Sequence, residues 1–415
     1  MLPVELPDGA TVLLPSAVQP LADQAGAVLA ALRAPIAGPP LRERVHPGQS
    51  VAIVISDITR PVPNQLLLQP MLAELAAAGV ADPDVTIVNG TGLHRGNTDA
   101  ELAEMLGAAI PRRYRIVQHD ARDRSTLAEV GRSPSPGRMP VELCRAYVEA
   151  EVRIVVGFVE PHLFAGYSGG AKGVMPGVAG ADIVMSNHGA PNLAHAKASW
   201  CVTHGNPVFD EISAIVDLCP PQFLLNVTLD SKRRLSGVFA GDLAPAHAAA
   251  VEQAARQYQA PLSHPYDVVV VTNMGYPADT TLYQSVKGMS VAAEGVREGG
   301  AILLVAGCEE GIGSRDYEEG LRAAESPAAL LERILHTEQP RHDQWQIQCQ
   351  AMVQIKARVL LHSKLTPQQT QAAHLEYAAE VSQAVRDLVK DAQSRGRDGS
   401  VLVLPYGQLT VPVVR

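Results

Sequence analysis

Aromatic residues make up only 4% of this 415-residue chain, and long apolar runs are missing altogether. With 5 Phe, 10 Tyr and 2 Trp, the core falls to Ala, Val and Leu; hydrophobic residues still reach 47%, enough to build an aliphatic one. No stretch approaches the ~18 uninterrupted apolar residues of a membrane span. The opening MLPVELPDGATVLLP alternates apolar and polar residues and lacks the basic start of a signal peptide. Cysteine is scarce: Cys144, Cys201, Cys219, Cys308 and Cys349 are scattered with no CxxC spacing, so neither a disulfide framework nor a zinc knuckle follows. Positive charge is short as well. With 34 Lys and Arg against 43 Asp and Glu, the formal net charge is −9, which argues against binding along a phosphate backbone. A single carboxylate held by a local Arg or Lys stays open. The expectation is a cytoplasmic protein with neither nucleic acid nor membrane as partner.

Compact catalytic motifs are also absent. No HExxH occurs, and Gly90-Thr91-Gly92 lacks the third glycine of a GxGxxG fingerprint, which speaks against a conventional NAD dehydrogenase. What is present is alternation of β-rich apolar runs, turn-rich segments and helical patterns. Ser50–Ile55 precedes SDITRPVPN and a helix ending near Ala78–Gly79. Asp84–Val88 precedes NGTGLHRGN, with Thr98 as N-cap of the next helix; Tyr114–Gln118 and Val152–Gly157 add further buried strands. This pattern predicts an α/β fold with largely parallel sheets. A fresh set starts at Asp267 (DVVVVTN), followed by a helix around Ser290–Glu298, the strand AILLVAG, and long helical stretches from Ser326 to about Lys390. Two α/β domains are expected, 1–265 and 266–399, with 400–415 a candidate strand to return to the first, and with the active site in the cleft between them.

The densest chemistry lies in Glu160 to Gly189, EPHLFAGYSGGAKGVMPGVAGADIVMSNHG, where six glycines precede Asn187. Glycines permit tight turns and close approach of backbone to a ligand. With Tyr167, Ser168, Gly169, Gly170 and Lys172, the run suits a phosphate-bearing ligand; glycine richness alone is equally that of a surface loop. His162, Lys172 and His188 inside the same run favour a site. His94 follows another strand, and two histidines that titrate near neutrality can serve opposite faces of one carbon. Alone, His94 reads as a hydrogen-bonded structural residue. Asp57 and Arg60 form a third post-strand cluster: Arg60 can bind a carboxylate in bidentate fashion, and Asp57 can orient a histidine or the arginine. The plainer alternative is a capped turn with a surface ion pair. Tyr283, Gln284 and Lys287 form a fourth, with Gln284 and Lys287 spaced for one helical face. His119 reads as structural, and His195 and His204 carry no assignment.

Taken together, SDITRPVP, NGTGLHRGNT, EPHLFAGYSGGAKGVMPG followed by NHG, LYQSVKG, and DQWQIQ around Trp345 resemble the nickel-pincer lactate racemases and their relatives. These elements span residues 56 to 348 in the family's order. The resemblance implies a racemase or epimerase of a small 2-hydroxy acid, lactate by default, working by proton-coupled hydride transfer to and from a nickel-pincer pyridinium mononucleotide. It further implies that Lys172 binds this cofactor covalently through a thioamide and that His188 completes the nickel coordination, a soft sulfur and imidazole set that suits nickel. His94 and His162 match the two catalytic bases. Arg60, Gln284 and Lys287 match residues holding the substrate carboxylate, Asp57 one that orients His94 or Arg60, and Tyr283 and Trp345 aromatic positions near the cofactor. Tyr167, Ser168, Gly169 and Gly170 are proposed as cofactor contacts on loop chemistry alone. Enzymes that make and load the cofactor are the implied partners. The same cofactor acting on malate, another short 2-hydroxy acid or a sugar acid is the nearest alternative. A non-catalytic cofactor carrier and a simple divalent-metal hydrolase are alternatives of a different class.

Overall fold

Five consecutive apolar side chains, Val51 to Ile55, are each no more than 1% exposed. Burial on both faces is the signature of a strand inside a parallel sheet with helices on each side. Such a run forms β1 (Val51–Ser56) in the computed structural model, which describes residues 3–134, 138–337 and 341–414. Five more strands complete its sheet: β2 (Val85–Gly90), β3 (Arg115–Gln118), β4 (Val152–Phe158), β5 (Phe223–Leu229) and β6 (Leu235–Gly241). Their order is β6-β5-β4-β1-β2-β3, parallel throughout except for the antiparallel β5–β6 pair. Ile53 sits opposite Ile87 on one side and Ile154 on the other, so three isoleucines cross the middle of the sheet. Helix α1 (Asn64–Ala77) buries Leu67, Leu68, Met71, Leu72 and Leu75, an apolar stripe at helical spacing. Helix α2 (Asp99–Leu106) starts at Thr98 as expected, in a capping box that Thr98 and Glu101 close on each other. Helix α3 (Leu243–Tyr258) follows β6.

A second sheet contains β7 (Tyr266–Thr272), β8 (Val296–Val305), β9 (Arg358–His362), β10 (Glu376–Tyr377) and β11 (Val401–Leu404). The short strand Thr11–Val12 joins at the edge, giving the order Thr11–Val12, β11, β7, β8, β9, β10, all parallel. Its helices include α4 (Leu282–Ala293), α5 (Gln344–Lys356) and α6 (Val381–Ser394). Val385 and Leu388 of α6 pack with Val268, Val270, Leu303 and Leu360 in a separate apolar cluster.

Two compact units result. The N-terminal unit holds Ala17–Asn187 and Val202–Arg256; the C-terminal unit holds the residues up to Ser16, His188–Cys201, and the chain from Gln257 onward. Three local expectations differ from the structure. The helix expected around Ser290–Glu298 lies earlier, at Leu282–Ala293, because the Thr281 side chain caps it, and the chain is extended again from Val296. The helical stretch from Ser326 to Lys390 is interrupted by β9 and β10. RVLLH in β9 is a short apolar run, and periodicity alone cannot separate a buried strand of that length from a helix segment. The final strands do not join the first sheet: β11 pairs with β7 in the second, and Val411–Val414 pairs with Gln259–Leu262 in a separate two-stranded sheet.

Ile154 is fully buried on β4 between β5 and β1, in the apolar cluster that also holds Ile53 and Ile87, so Ile154→Ala leaves a cavity in that layer. The substitution is expected to destabilise the N-terminal unit by about 2–5 kcal/mol in urea denaturation. A loss below about 1 kcal/mol would place this side chain outside the core.

Candidate active site

In the first sheet the chain moves from β1 outward to β2 and β3, then returns to lay β4 on the other side of β1. The strand order thus reverses between β1 and β4. In open parallel sheets, ligands bind at such a switch point, beyond the carboxyl ends of the strands. β1 leads into Asp57 and Arg60, the neighbouring β2 into His94, and β4 into His162 and Lys172. The candidates therefore leave one edge from three adjacent strands.

Asp57 is buried, and its Oδ2 lies 2.8 Å from His94 Nδ1. Its Oδ1 accepts from the Thr59 hydroxyl at 2.7 Å. Burial pushes the Asp57 carboxyl up; the hydrogen bonds from His94 and Thr59, with the charges of His94 and Arg60, outweigh it and hold the group below its ordinary value. A carboxylate in that state fixes the proton of the neutral imidazole on Nδ1 and leaves Nε2 to meet a ligand. The His94 side chain is 52% exposed, so that face is open.

The Glu160–Gly173 run is held by contacts that glycine makes possible. Gly169 and Gly170 have φ of +75° and +54°, in the left-handed region. A Cβ on Gly169 would stand 2.6 Å from Asn226 Oδ1, and one on Gly170 2.5 Å from the His247 ring. Asn226 Oδ1 accepts from Gly170 N at 2.8 Å, and His247 Nε2 lies 2.9 Å from the Ser168 carbonyl. The Ser168 hydroxyl accepts from Glu160 N and donates to Phe158 O, and Tyr167 is 1% exposed. These two side chains are thus committed to the fold, while the glycine backbone shapes the loop around Lys172. His162 Nδ1 accepts from Ala165 N at 3.2 Å. Lys172 keeps part of its surface open while its ammonium lies deep among protein atoms. Desolvation, then repulsion from Arg60, lower its pKa to about 7. A large fraction of Lys172 is therefore a neutral, nucleophilic amine at neutral pH.

In the C-terminal unit, His188 stands edge-on to Trp345 with ring centroids 6.1 Å apart, and Trp345 also meets His342 edge-on at 5.6 Å. Tyr283 lies edge-on to Tyr317 at 5.2 Å. Its hydroxyl is pushed up by burial first and then by the neighbouring Asp343 carboxylate. Gln284 is exposed and Lys287 half-buried on α4. Helix α5 ties these groups down through buried glutamines: Gln346 Nε2 donates to Tyr283 O at 2.6 Å, and Gln348 Nε2 donates to Ala190 O at 2.9 Å, two residues beyond His188.

The structure thus joins Asp57, Arg60, His94 and Lys172 through contact or charge in the N-terminal unit, and His188 with Trp345 in the C-terminal unit. Asn226, His247, Asp343 and Gln348 escaped the reading of the sequence. Asn226 carries a usable signal, a polar residue in the apolar strand FLLNVTL. Asp343 and Gln348 lie inside DQWQIQ, which drew attention only to its tryptophan. His247, in an alanine-rich helix, carries none.

Comparison with known proteins agrees with these motifs. Residues 1–201 match the lactate racemase N-terminal domain and residues 262–413 the lactate racemase C-terminal domain. The chain is 30% identical over 384 residues to the lactate racemase of Thermoanaerobacterium thermosaccharolyticum, covering 91% of this chain and 88% of that protein. It is 31% identical over 376 residues to that of Lactiplantibacillus plantarum, covering 90% and 87%. The fold superposes on the lactate racemase apoprotein structure from T. thermosaccharolyticum with a TM-score of 0.89 and 27% identity, over 98% of this chain and 96% of that one. A Thermotoga maritima protein, 18% identical with a TM-score of 0.68 over 97% of this chain and all of its own, shares the fold alone. Fold and family together define an isomerase of the racemase class. The chain belongs to the lactate racemase family.

The lowered pKa of Lys172 has a direct readout. In the apoprotein, its acylation by acetic anhydride is expected to level off above about pH 7, while that of a free lysine model such as Nα-acetyl-lysine amide keeps rising toward about pH 10. Arg60→Ala is expected to move the Lys172 midpoint upward. A pH curve for Lys172 parallel to that of the model amine, followed by peptide mass spectrometry, would refute the desolvated amine.

Proposed function

We propose that this enzyme interconverts the enantiomers of a small 2-hydroxy acid, with lactate as first substrate, using a nickel-pincer pyridinium mononucleotide joined to Lys172. The observation that carries this reading is the Asp57–His94 pair, at 2.8 Å on the same strand edge as a lysine of lowered pKa.

The residues fit that group. Thioamide formation needs an uncharged amine, and Lys172 is one near neutrality. Among the described residues, no three or more His, Cys, Asp and Glu gather as a metal-ligand set. A nickel ion here would draw most of its donors from an organic ligand, with His188 adding an imidazole. When bound, the group supplies a reversible acceptor for the hydride on carbon 2, with nickel beside it as Lewis acid.

The chain supplies the proton transfers and the grip on substrate. Asp57 holds the His94 Nδ1 proton, so Nε2 is the atom that takes the hydroxyl proton of one enantiomer, and the carboxylate stabilises the imidazolium that forms. His162, with Nδ1 turned to the backbone, presents Nε2 to the hydroxyl of the other enantiomer. Each histidine returns its proton when the reaction runs backward. Arg60, Gln284 and Lys287 are the candidate holders of the carboxylate, a bidentate fork in the case of arginine. Tyr283 and Trp345 contribute apolar surface that keeps water from the reacting carbon.

Enzyme from cells that also express the cofactor-making and loading enzymes is expected to carry the nucleotide mass on Lys172, to retain nickel, and to racemise lactate from either enantiomer by polarimetry. Lys172→Ala should lose mass, metal and activity together. An unmodified Lys172, from cells that load a known family member, would overturn the cofactor assignment; a loaded enzyme inert toward both lactates would overturn the substrate. Asp57→Asn, which no longer fixes the His94 tautomer, is expected to lower kcat about 10²–10⁴-fold with the nucleotide still attached. An unchanged kcat would remove His94 from the proton transfer.

A further inference from the structure

The second sheet has a switch point of its own. From β7 the chain moves outward to β8, β9 and β10, and only later returns to place β11 on the other side of β7. The first residue beyond β7 is Asn273, which is fully buried. Its Nδ2 donates to the carbonyls of Ala278 and, at 3.2 Å, Gln284. Its Oδ1 accepts from Gly288 N at 2.9 Å and from Gln408 Nε2 at 3.0 Å. A carboxamide has two N–H donors and two acceptor positions, and this one uses all four.

The choice of partners is informative. The Gln284 carbonyl and the Gly288 amide are the i and i+4 groups that one turn of a helix pairs with each other. Asn273 grips both, so it docks the whole 284–288 turn of α4 onto the end of β7 as a peptide unit would. The approach depends on Gly288: a Cβ there would lie 3.0 Å from Thr272 O and 3.2 Å from Asn273 Oδ1. The fourth bond, from Gln408, ties the segment after β11 to the same point, so both strands flanking the switch point converge on one side chain. The turn held in this way carries Gln284 and Lys287.

We propose that Asn273 is a positioning residue for the substrate carboxylate: it fixes the height and rotation of the α4 turn from which Gln284 and Lys287 reach the ligand. The inference rests on the reading of those two residues given above. Apolar packing of Val286 and Met289 already secures the helix to the sheet. What the carboxamide adds is directional: four bonds of fixed geometry, where apolar contacts allow sliding. Asp at this position would lose both donors and set a carboxylate against two carbonyls; Leu would lose all four bonds.

The test is a double-mutant cycle on the loaded enzyme, read as kcat/KM for lactate. Asn273→Ala is expected to lower kcat/KM on the order of 10–100-fold, the effect of a shift of about 1 Å in a positioning group. In a Lys287→Ala background the same change should cost less than about 2-fold, because the group it positions is gone. Gly288→Ala disturbs the joint from the helix side and is expected to follow the same non-additive pattern, which covers the case of an Asn273→Ala chain that does not fold. Leu388→Ala on α6 serves as a control for general destabilisation: a matched loss of Tm should leave kcat/KM within about 2-fold and combine additively with Lys287→Ala. Full additivity of Asn273→Ala or Gly288→Ala with Lys287→Ala would overturn the positioning role. A Lys287→Ala enzyme as fast as the parent would instead remove the reading of α4 as carboxylate holder, and the proposal with it.

Discussion

Parallel strand pairing is the constraint from which most of this architecture follows. Strands that run the same way need crossovers, and those crossovers cover both faces of the sheet, so the strands must be apolar on both sides. Strand positions are then mostly apolar, and the candidate site residues collect in the loops beyond the carboxyl ends. In the first sheet those loops begin with Asp57, lead to His94, and contain His162 and Lys172. In the second they carry Asn273 and lead into α4. The exceptions inside the strands, such as Asn226 on β5 and Asp267 on β7, are buried and hydrogen-bonded.

The polar groups in those loops are neither free nor simply exposed. Asp57 spends one oxygen on His94 and the other on Thr59. The glycine run around Lys172 is pinned by Asn226 and His247, while Trp345 stands edge-on to two histidines. Buried amides on α5 perform the same service for Tyr283 and for the segment after His188. A fully satisfied buried polar group contributes little net stability, but leaving one partner unpaired costs about 1–3 kcal/mol. Networks of this kind therefore tolerate few geometries. That intolerance is useful where a ligand has to be met at a fixed distance.

Much of this was legible in the sequence, and the reason is local. A strand followed by a turn and a charged residue is written in consecutive letters, so β1, β2, β4 and β7 and the residues beyond them could be read directly. The Thr98 cap was equally plain, because both halves of its capping box lie within four residues. β9 was hidden because its three apolar letters, Val359 to Leu361, fit a buried helix as well as a strand. The roles of Asn226, His247 and Asn273 were hidden for a different reason. Their partners are mostly backbone atoms outside the local run of sequence, and a backbone carbonyl has no letter. The same holds for the grouping of His188 with Trp345, which depends on a segment leaving one unit and entering the other.

The edge strand Thr11–Val12 sets a schedule for the chain as it is made. Its sheet partner is β11, and nearby Glu5 bonds to Ser382 across a separation of 377 residues. At a synthesis rate of about 5–20 residues per second, Thr11–Val12 waits on the order of tens of seconds for β11 to appear. The N-terminal unit, whose last residue is Arg256, can be complete well before that. Through that interval Thr11–Val12 is an edge without its partner, tethered to a finished neighbour, and the alternating, proline-punctuated sequence around it guards against wrong pairing until β11 arrives.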